Sequence, residues 1–429
     1  MLKVTFCIYD KPDSVGGPIT WVQRLLPALR THGIEARCLF LLHWGDTGPA
    51  LNTLRELGFD CKAVLAHERT EDRVRWILDE LRENPPDIFV PNLVVAGYFA
   101  GRWAREAGIP TVGVLHSDDD FYRGLQNEFV FGTEAFRLSA VVCVSQELER
   151  EVLNARPPAT IVRRIPYGVP VPPATVERNS ARLRICFVGR LAEEQKRIFD
   201  VTRALCDAVR NVEGTSAVIY GDGPDRSGVE RILATEGAGL DVRLGGLVAS
   251  DEIQRRLMSC DVIVLLSDYE GLPIALMEAM ACGCVPVCLR IRSGIPELVD
   301  DEVNGLLVDD RGAGFLRAIR RLRDEPSLWN RLSASARATV ATRFSETEST
   351  SQWSQLLHEL NGGSSTTHQI ATPRNLSLPP VNPSLASGDL REKRVGTLHR
   401  FYGRFYGRGR IIAGAIKRSL WPATTKMAG

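Results

Sequence analysis

The sequence lacks the features of a membrane-spanning or secreted protein. None of its apolar runs reaches the ~18 residues that mark a candidate spanning helix. The first residues, MLKVTFCIY, have a short apolar segment and no small-residue cleavage site. They are typical of a first buried strand and not of a signal peptide. We therefore expect a cytoplasmic protein.

A metal-site pattern is also missing. The ten cysteines stand in apolar contexts, and the cluster of Cys282, Cys284 and Cys288 lacks a histidine or a second pair of ligands. The consecutive carboxylates Asp118, Asp119 and Asp120 do not direct three side chains at one ion. The sequence therefore predicts reduced core cysteines, no metal and no bound cofactor.

Length and patterning predict the architecture. A chain of 429 residues exceeds the roughly 250–300 residues at which single cores stop growing, so we expect two domains. Strand-like apolar runs alternate with amphipathic helical runs on both sides of the proline-rich segment 166–173. This alternation predicts an α/β fold with two doubly wound parallel sheets. Ligands of such sheets bind beyond the carboxyl ends of the strands, which predicts a cleft between the domains.

The stretch SDYEGLPIALMEAMACG at 267–283 predicts what binds there. It follows an apolar run, and Gly271 and Pro273 mark a turn with the proline at the first helical position. The start of a helix offers free N–H groups and the positive end of a dipole, which suit a phosphate. Glu270 then lies beside the anion and Glu278 further along the helix, where carboxylates accept hydrogen bonds from hydroxyls. This combination suggests a sugar nucleotide.

Six motifs in chain order resemble the GT-B glycosyltransferases, in particular the retaining family 4, also called glycosyl transferases group 1. They are VGRL at 188–191 followed by Lys196, YGDGP at 220–224, GGLV at 245–248, the Glu270 and Glu278 pair, CG at 282–283, and GIPE at 294–297 with NG at 304–305. Weaker matches in the first half are Gly16-Gly17, His116, Ser145 and IPYGV at 165–169. The resemblance covers roughly residues 1 to 360.

The resemblance implies a catalytic set of four residues. Arg190 and Lys196 would bind the donor diphosphate and neutralise the charge of the leaving nucleotide. Glu270 would bind hydroxyls of the transferred sugar, and His116 would contact that sugar and stabilise the transition state. Such enzymes are thought to use front-face departure and attack, so Glu270 is not assigned as a nucleophile.

The resemblance also implies a donor-binding set. Glu278 would hold the ribose hydroxyls, and Gly17 would let the first loop approach the phosphates without a Cβ in the way. The phosphate or sugar would lie on the main chain of Gly271, Leu272, Pro273 and Ile274, and the base near Gly221, Gly223 and Val248.

Plainer explanations exist for the same residues. Acidic residues are favoured at any helix start, and acidic neighbours make Arg190 and Lys196 typical of a charged helix entry. An isolated histidine at a strand end, such as His116, is often structural. Only the conjunction of these residues favours a donor site.

Five segments are predicted. They are an acceptor-side Rossmann-like domain at 1–170, a Rossmann-like nucleotide-sugar domain at 171–345, a helix at 346–360 packing back on the first domain, a disordered linker at 361–390 and a basic aromatic tail at 391–429. The tail has ten Lys or Arg and one acidic residue, although the whole chain has a net charge of only +1. Contact with the inner membrane surface or a lipid-linked acceptor, and a merely disordered end, both remain open for it. Nucleic acid is not expected.

We interpret the chain as a retaining glycosyltransferase that moves a sugar from a nucleotide-sugar donor to an acceptor hydroxyl, in the biosynthesis of a cell-surface polysaccharide or glycoconjugate. Two alternatives remain open. These are a GT-B sugar-nucleotide epimerase, which needs no acceptor, and a catalytically silent nucleotide-sugar-binding partner. The acceptor, whether saccharide, lipid-linked or protein, is expected near loops 47–49, 67–70 and 118–125 of the first domain.

Overall fold

The protein is built from two parallel sheets with helices between the strands. The computed structural model describes residues 1–12, 16–66, 69–178, 182–249, 252–291, 294–362, 369–373 and 375–388. Both sheets belong to one compact unit, Met1–Asp389. Within the described residues, no helix is long and apolar enough to span a bilayer.

Within the described residues, the first sheet contains seven strands, in a run of four and a run of three. Its elements are β1 (Leu2–Asp10), α1 (Gly17–Thr31), β2 (Ile34–Leu42), α2 (Pro49–Glu56), β3 (Cys61–Leu65), α3 (Thr70–Glu83), β4 (Ile88–Pro91), α4 (Val95–Glu106), β5 (Val112–Leu115), α5 (Asp120–Phe129), β6 (Ala140–Cys143), α6 (Gln146–Asn154) and β7 (Ile161–Arg164). The strands β3-β2-β1-β4 and β5-β6-β7 form two parallel runs, which a bridge between Phe89 and Thr111 joins.

The second sheet has the order β10-β9-β8-β11-β12-β13. Its elements are β8 (Leu183–Val188), α7 (Glu193–Lys196), α8 (Ile198–Asn211), β9 (Thr215–Tyr220), α9 (Arg226–Thr235), β10 (Val242–Gly246), α10 (Ile253–Leu257), β11 (Val262–Leu265), α11 (Ile274–Cys282), β12 (Val285–Leu289), α12 (Ile295–Leu298), β13 (Leu306–Val308), α13 (Ala313–Asp324) and α14 (Pro326–Arg343). Every residue of β11 and β12 is buried, as expected for parallel strands covered on both faces.

Two chain crossings connect the domains. The first follows β7, and the second leads into α15 (Glu346–Gly362). They are hydrogen-bonded side by side, since Val169 N–H donates to the Phe344 carbonyl and Glu346 N–H donates to the Val169 carbonyl, each at 3.0 Å. Trp353 of α15 then packs on Trp21 of α1, with ring centroids 5.5 Å apart. Helix α15 therefore lies on the first domain.

The predicted architecture of two doubly wound domains is confirmed. Two details differ. The strand-like runs of the sequence did not include β3, β7, β10 or β13, which have only three to five residues and are mostly only partly buried. Pro273 is the N-cap of α11 and not its first helical residue, so the helix begins one position later than predicted.

Part of the segment predicted as a disordered linker is packed instead. Ile370 and Leu385 are buried, and the short 3₁₀ turn Pro383–Leu385 contacts α5, where a Cβ on Gly124 would lie 2.8 Å from Ser384. The composition of this segment is too polar for it to form a core of its own. Its few apolar side chains are buried instead against the surface of the folded domain. The predicted tail at 391–429 lies outside the described residues.

Candidate active site

Residues of both domains meet beyond the carboxyl end of β11. A Cβ on Gly271 would lie 2.2 Å from the main-chain oxygen of His116, which follows β5. A Cβ on Gly17, the first residue of α1, would lie 3.4 Å from the Ile274 side chain at the start of α11. The starts of α1 and α11 are therefore close together, and glycine is needed at 271 because a side chain there would overlap the opposite domain.

Lys196 and Glu270 form an ion pair beside the loop that precedes α11. The Lys196 ammonium donates to Glu270 Oε1 at 2.5 Å. The side chains are 15% and 6% exposed, so each charge relies on the other for compensation. The sequence predicted both residues for the donor site, and the structure brings them together.

Glu278 is paired with a residue that the sequence analysis missed. Arg24, on α1 of the first domain, donates through Nη2 to Glu278 Oε1 at 2.5 Å. The side chains of Arg24 and Glu278 are 16% and 8% exposed. The second terminal nitrogen of Arg24, Nη1, is buried without a hydrogen-bond partner among the described residues. Burial raises the pKa of the Glu346 carboxyl, and the positive charge of Arg24 partly offsets this rise.

The His116 ring is held by two side chains of its own domain. Its Nε2 donates to Asn92 Oδ1 at 2.7 Å, and Nδ1 accepts a hydrogen bond from the Tyr167 hydroxyl. The Tyr167 ring is nearly parallel to the imidazole, at 12°, with centroids 5.6 Å apart. Burial lowers the pKa of His116 to about 3, so the ring is neutral at physiological pH.

This network bears on the predicted role of His116. The resemblance implied a contact between this histidine and the donor sugar, but both ring nitrogens are engaged with the protein. A contact through either nitrogen would break one of these hydrogen bonds. The part of His116 that faces Gly271 is its main-chain carbonyl, and the contact of the imidazole with the donor sugar stays a prediction.

Arg190 lies on the loop after β8 and is exposed. Burial is the chief cause of a raised pKa of the Tyr269 phenol, and the charge of Arg190 is close enough to act against this rise. A Cβ on Gly221 would lie 1.9 Å from the Gly189 oxygen, and one on Gly223 would lie 2.4 Å from the Leu191 oxygen. These glycines therefore let the loop that carries Arg190 pack on the loop after β9.

The remaining predicted donor residues lie in two places. Leu272 is buried next to Gly271, and Val248 is half-buried on the loop after β10. Of the three consecutive aspartates, Asp119 caps α5, whereas Asp118 and Asp120 both pair with Arg123. In the described part of the chain, no three His, Cys, Asp or Glu side chains are grouped as metal ligands would be.

Two doubly wound domains, with a lysine and two glutamates near the start of α11, are the arrangement that the sequence predicts for a nucleotide-sugar-binding transferase. The family model described as Glycosyltransferase Family 4 matches residues 15–171, and the model described as Glycosyl transferases group 1 matches residues 182–325. Together they match well over half of the chain. The chain belongs to glycosyltransferase family 4, and it is a nucleotide-sugar-dependent hexosyltransferase.

Known relatives act on several glycans. The chain is 28% identical over 293 residues to a GDP-mannose-dependent α-(1-6)-phosphatidylinositol dimannoside mannosyltransferase of Mycobacterium tuberculosis, covering 63% of this chain and 73% of the relative. It is also 28% identical to the amylovoran biosynthesis glycosyltransferase AmsK of Erwinia amylovora, covering 78% of this chain and 74% of the relative. A solved structure of Anabaena HepE with UDP and glucose superposes with a TM-score of 0.67 at 19% identity, covering 84% of this chain and 100% of HepE.

Proposed function

We propose that the enzyme transfers a hexosyl group from a nucleotide sugar to an acceptor hydroxyl with retention of anomeric configuration, in the synthesis of a cell-surface polysaccharide or glycoconjugate. The observation that carries this proposal is the buried pair of Lys196 and Glu270 beside the start of α11. Lys196 and the exposed Arg190 supply positive charge for the diphosphate, and Glu270 and Glu278 accept hydrogen bonds from sugar and ribose hydroxyls.

A donor screen tests the proposal. Thermal unfolding is measured with UDP- and GDP-sugars, because a ligand that binds only the folded state raises its stability in proportion to the logarithm of its concentration over Kd. The stabilising donor is then incubated with candidate acceptors, and the anomeric configuration of the product is read by NMR. An inverted product would refute retention.

The same incubation separates the two alternatives. An epimerase converts the nucleotide sugar without an acceptor, whereas a transferase releases the nucleotide in amounts that follow acceptor glycosylation. A silent binding partner is stabilised by the donor but turns none of it over.

The acceptor site is proposed at the carboxyl edge of the first sheet, around Trp44. This residue follows β2 and is 83% exposed, and it has a positive φ of 58°, which is uncommon for a bulky side chain. The Lys11 ammonium, after the neighbouring strand β1, is 5.7 Å from the centre of the Trp44 ring. Trp44 lies three positions before the start of the predicted acceptor loop 47–49. Residues 67 and 68 of the second predicted loop lie outside the described residues.

An exposed aromatic face next to a cation suits an acceptor sugar with an anionic group. We expect Trp44→Ala to raise the KM for the acceptor about tenfold, which corresponds to about 1.4 kcal/mol of lost contact, and to leave the donor KM unchanged. Steady-state transfer kinetics measure both constants. Trp44→Phe keeps an aromatic face and should retain most of the affinity. Leu57→Ala removes another exposed apolar side chain, just after α2, and serves as the control. Equal acceptor KM values in Trp44→Ala and the wild type would exclude this site.

A second proposal concerns the basic tail. Its ten Lys or Arg, interleaved with aromatic residues, are suited to an anionic membrane surface. Deletion of residues 391–429 should lower co-sedimentation with phosphatidylglycerol vesicles, and added salt should weaken binding of the full chain. Phosphatidylcholine vesicles are the control. If the shortened chain sediments as the full chain does, the tail is not a membrane anchor.

A further inference from the structure

Glu297 of the second domain is bonded to two groups of the first domain. Its Oε1 accepts hydrogen bonds from Nε of Arg164, at 2.7 Å, and from Nη2 of the same guanidinium. Its Oε2 accepts the main-chain N–H of Gln146 at 2.6 Å. We call these contacts the Glu297 bridge. The Glu297 side chain is only 4% exposed, so its charge is compensated almost wholly by the opposite domain.

The first domain offers Glu297 a suitable anion site. Gln146 is the first residue of the nine-residue helix α6, and Ser145 caps this helix by accepting from Leu148 N–H at 3.3 Å. The carboxylate is therefore placed at the positive end of a helix dipole as well as against a guanidinium. Charge-assisted hydrogen bonds of this kind are stronger than those between neutral groups.

The bridge is connected to the donor loop by direct contacts. Gly294, three residues before Glu297, donates its N–H to the Gly271 carbonyl at 3.0 Å. A Cβ on Gly294 would lie 2.0 Å from that same oxygen, so the two segments leave no space between them. Gly271 in turn lies against the His116 carbonyl of the first domain. A shift of α12 would therefore shift the loop that carries Glu270.

We propose that Glu297 is a positioning residue for transfer: by binding Arg164 and Gln146, it fixes the donor loop 270–273 against the first domain. This inference rests on the proposed function only in that the donor binds at this loop. It gives a role to the GIPE motif at 294–297, which the donor-site assignment leaves unused. Nucleotide contacts made by the second domain alone do not depend on the bridge.

The test compares Glu297→Gln with Arg163→Gln. Arg163 adjoins Arg164 and also pairs with a glutamate, Glu359, but both side chains are about half exposed, at 45% and 44%. This exposed pair is a matched control because its loss should have little effect. Three quantities are measured on the full chain: the radius of gyration by small-angle X-ray scattering, the Kd values of UDP and GDP by calorimetry, and kcat with the donor from the screen.

Glu297→Gln should raise the radius of gyration and lower kcat on the order of 10- to 100-fold, since small misplacement of reacting groups has effects of this size. The nucleotide Kd should change less than about threefold, well below the tenfold that 1.4 kcal/mol would produce. Arg164→Met should give the same result, and the double variant should be no worse than either single variant. If Glu297→Gln fails to fold, the variant Arg164→Lys is tested in its place. It keeps the positive charge but loses the contact through two nitrogens.

Two results would overturn the inference. One is a radius of gyration and kcat that equal those of the Arg163→Gln control. The other is a nucleotide Kd that rises as much as kcat falls, which would make Glu297 a support of the second domain alone. A failure of the proposed function can be told apart from a failure of this inference. If neither UDP nor GDP binds, the radius of gyration still shows whether the Glu297 bridge holds the domains together.

Discussion

Lys196→Ala is expected to lower kcat on the order of 10²-fold or more. The ammonium is positioned next to Glu270, near the start of α11. We propose that the diphosphate of the leaving nucleotide binds there and gains negative charge as the glycosidic bond breaks. A preorganised cation in a site that excludes water stabilises this charge far more than it would in water. Because the charge grows in the transition state, the loss should be in kcat more than in the donor KM.

Two controls accompany Lys196→Ala. Arg197→Gln removes the neighbouring cation, whose half-buried side chain pairs with Asp200, and should retain near-normal turnover. Lys196→Arg keeps a positive charge and should recover part of the rate. The assignment would be abandoned if Lys196→Ala turned over as fast as Arg197→Gln while remaining folded.

The buried pair requires a further variant, because removing Lys196 leaves the Glu270 carboxylate uncompensated. Breaking a buried pair by removing one partner typically costs about 3–5 kcal/mol of stability. The double variant Lys196→Ala/Glu270→Gln should therefore be more stable than Lys196→Ala alone but no more active. Chemical unfolding and kcat, measured on the same preparations, separate the contribution to folding from the contribution to catalysis.

The sequence predicted the parts of the site that are local in the chain. Glu270, Gly271 and Ile274 lie within one strand-to-helix turn, so turn residues and helix-start signals were sufficient to place them. The pairing of Lys196 with Glu270 was foreseeable as well, since both follow neighbouring strands of one parallel sheet, and such strands end at the same edge.

Contacts between the domains could not be predicted in this way. Arg24 and Glu278 are 254 positions apart, and Arg164 and Glu297 are 133 apart. Periodicity and turn chemistry describe single elements, but the orientation of one sheet against another depends on the packing of the whole chain. Tyr167 shows the same limit: its motif was noted, but its hydrogen bond to His116 depends on how the crossing passes the first sheet.

Glu278→Gln is expected to raise the KM of the nucleotide sugar on the order of 10²-fold. A carboxylate that accepts hydrogen bonds from two ribose hydroxyls contributes roughly 1.5–3 kcal/mol for each bond, and the neutral amide is a weaker acceptor. Arg24 occupies Oε1, but each carboxylate oxygen can accept more than one hydrogen bond. The ribose can therefore bind beside Arg24, which then orients the carboxylate.

Arg24→Gln distinguishes orientation by Arg24 from competition with the donor. If Arg24 orients Glu278, this variant should raise the donor KM about tenfold, because a charge-assisted hydrogen bond no longer fixes the carboxylate. A tenfold change corresponds to about 1.4 kcal/mol. If Arg24 instead competes with the ribose, the donor KM should fall. The acceptor KM should be unchanged in both variants, since the role proposed for both residues is in binding the donor. If the donor KM of Glu278→Gln is within twofold of the wild type, Glu278 does not bind the ribose. Its pair with Arg24 would then be only a contact between the domains.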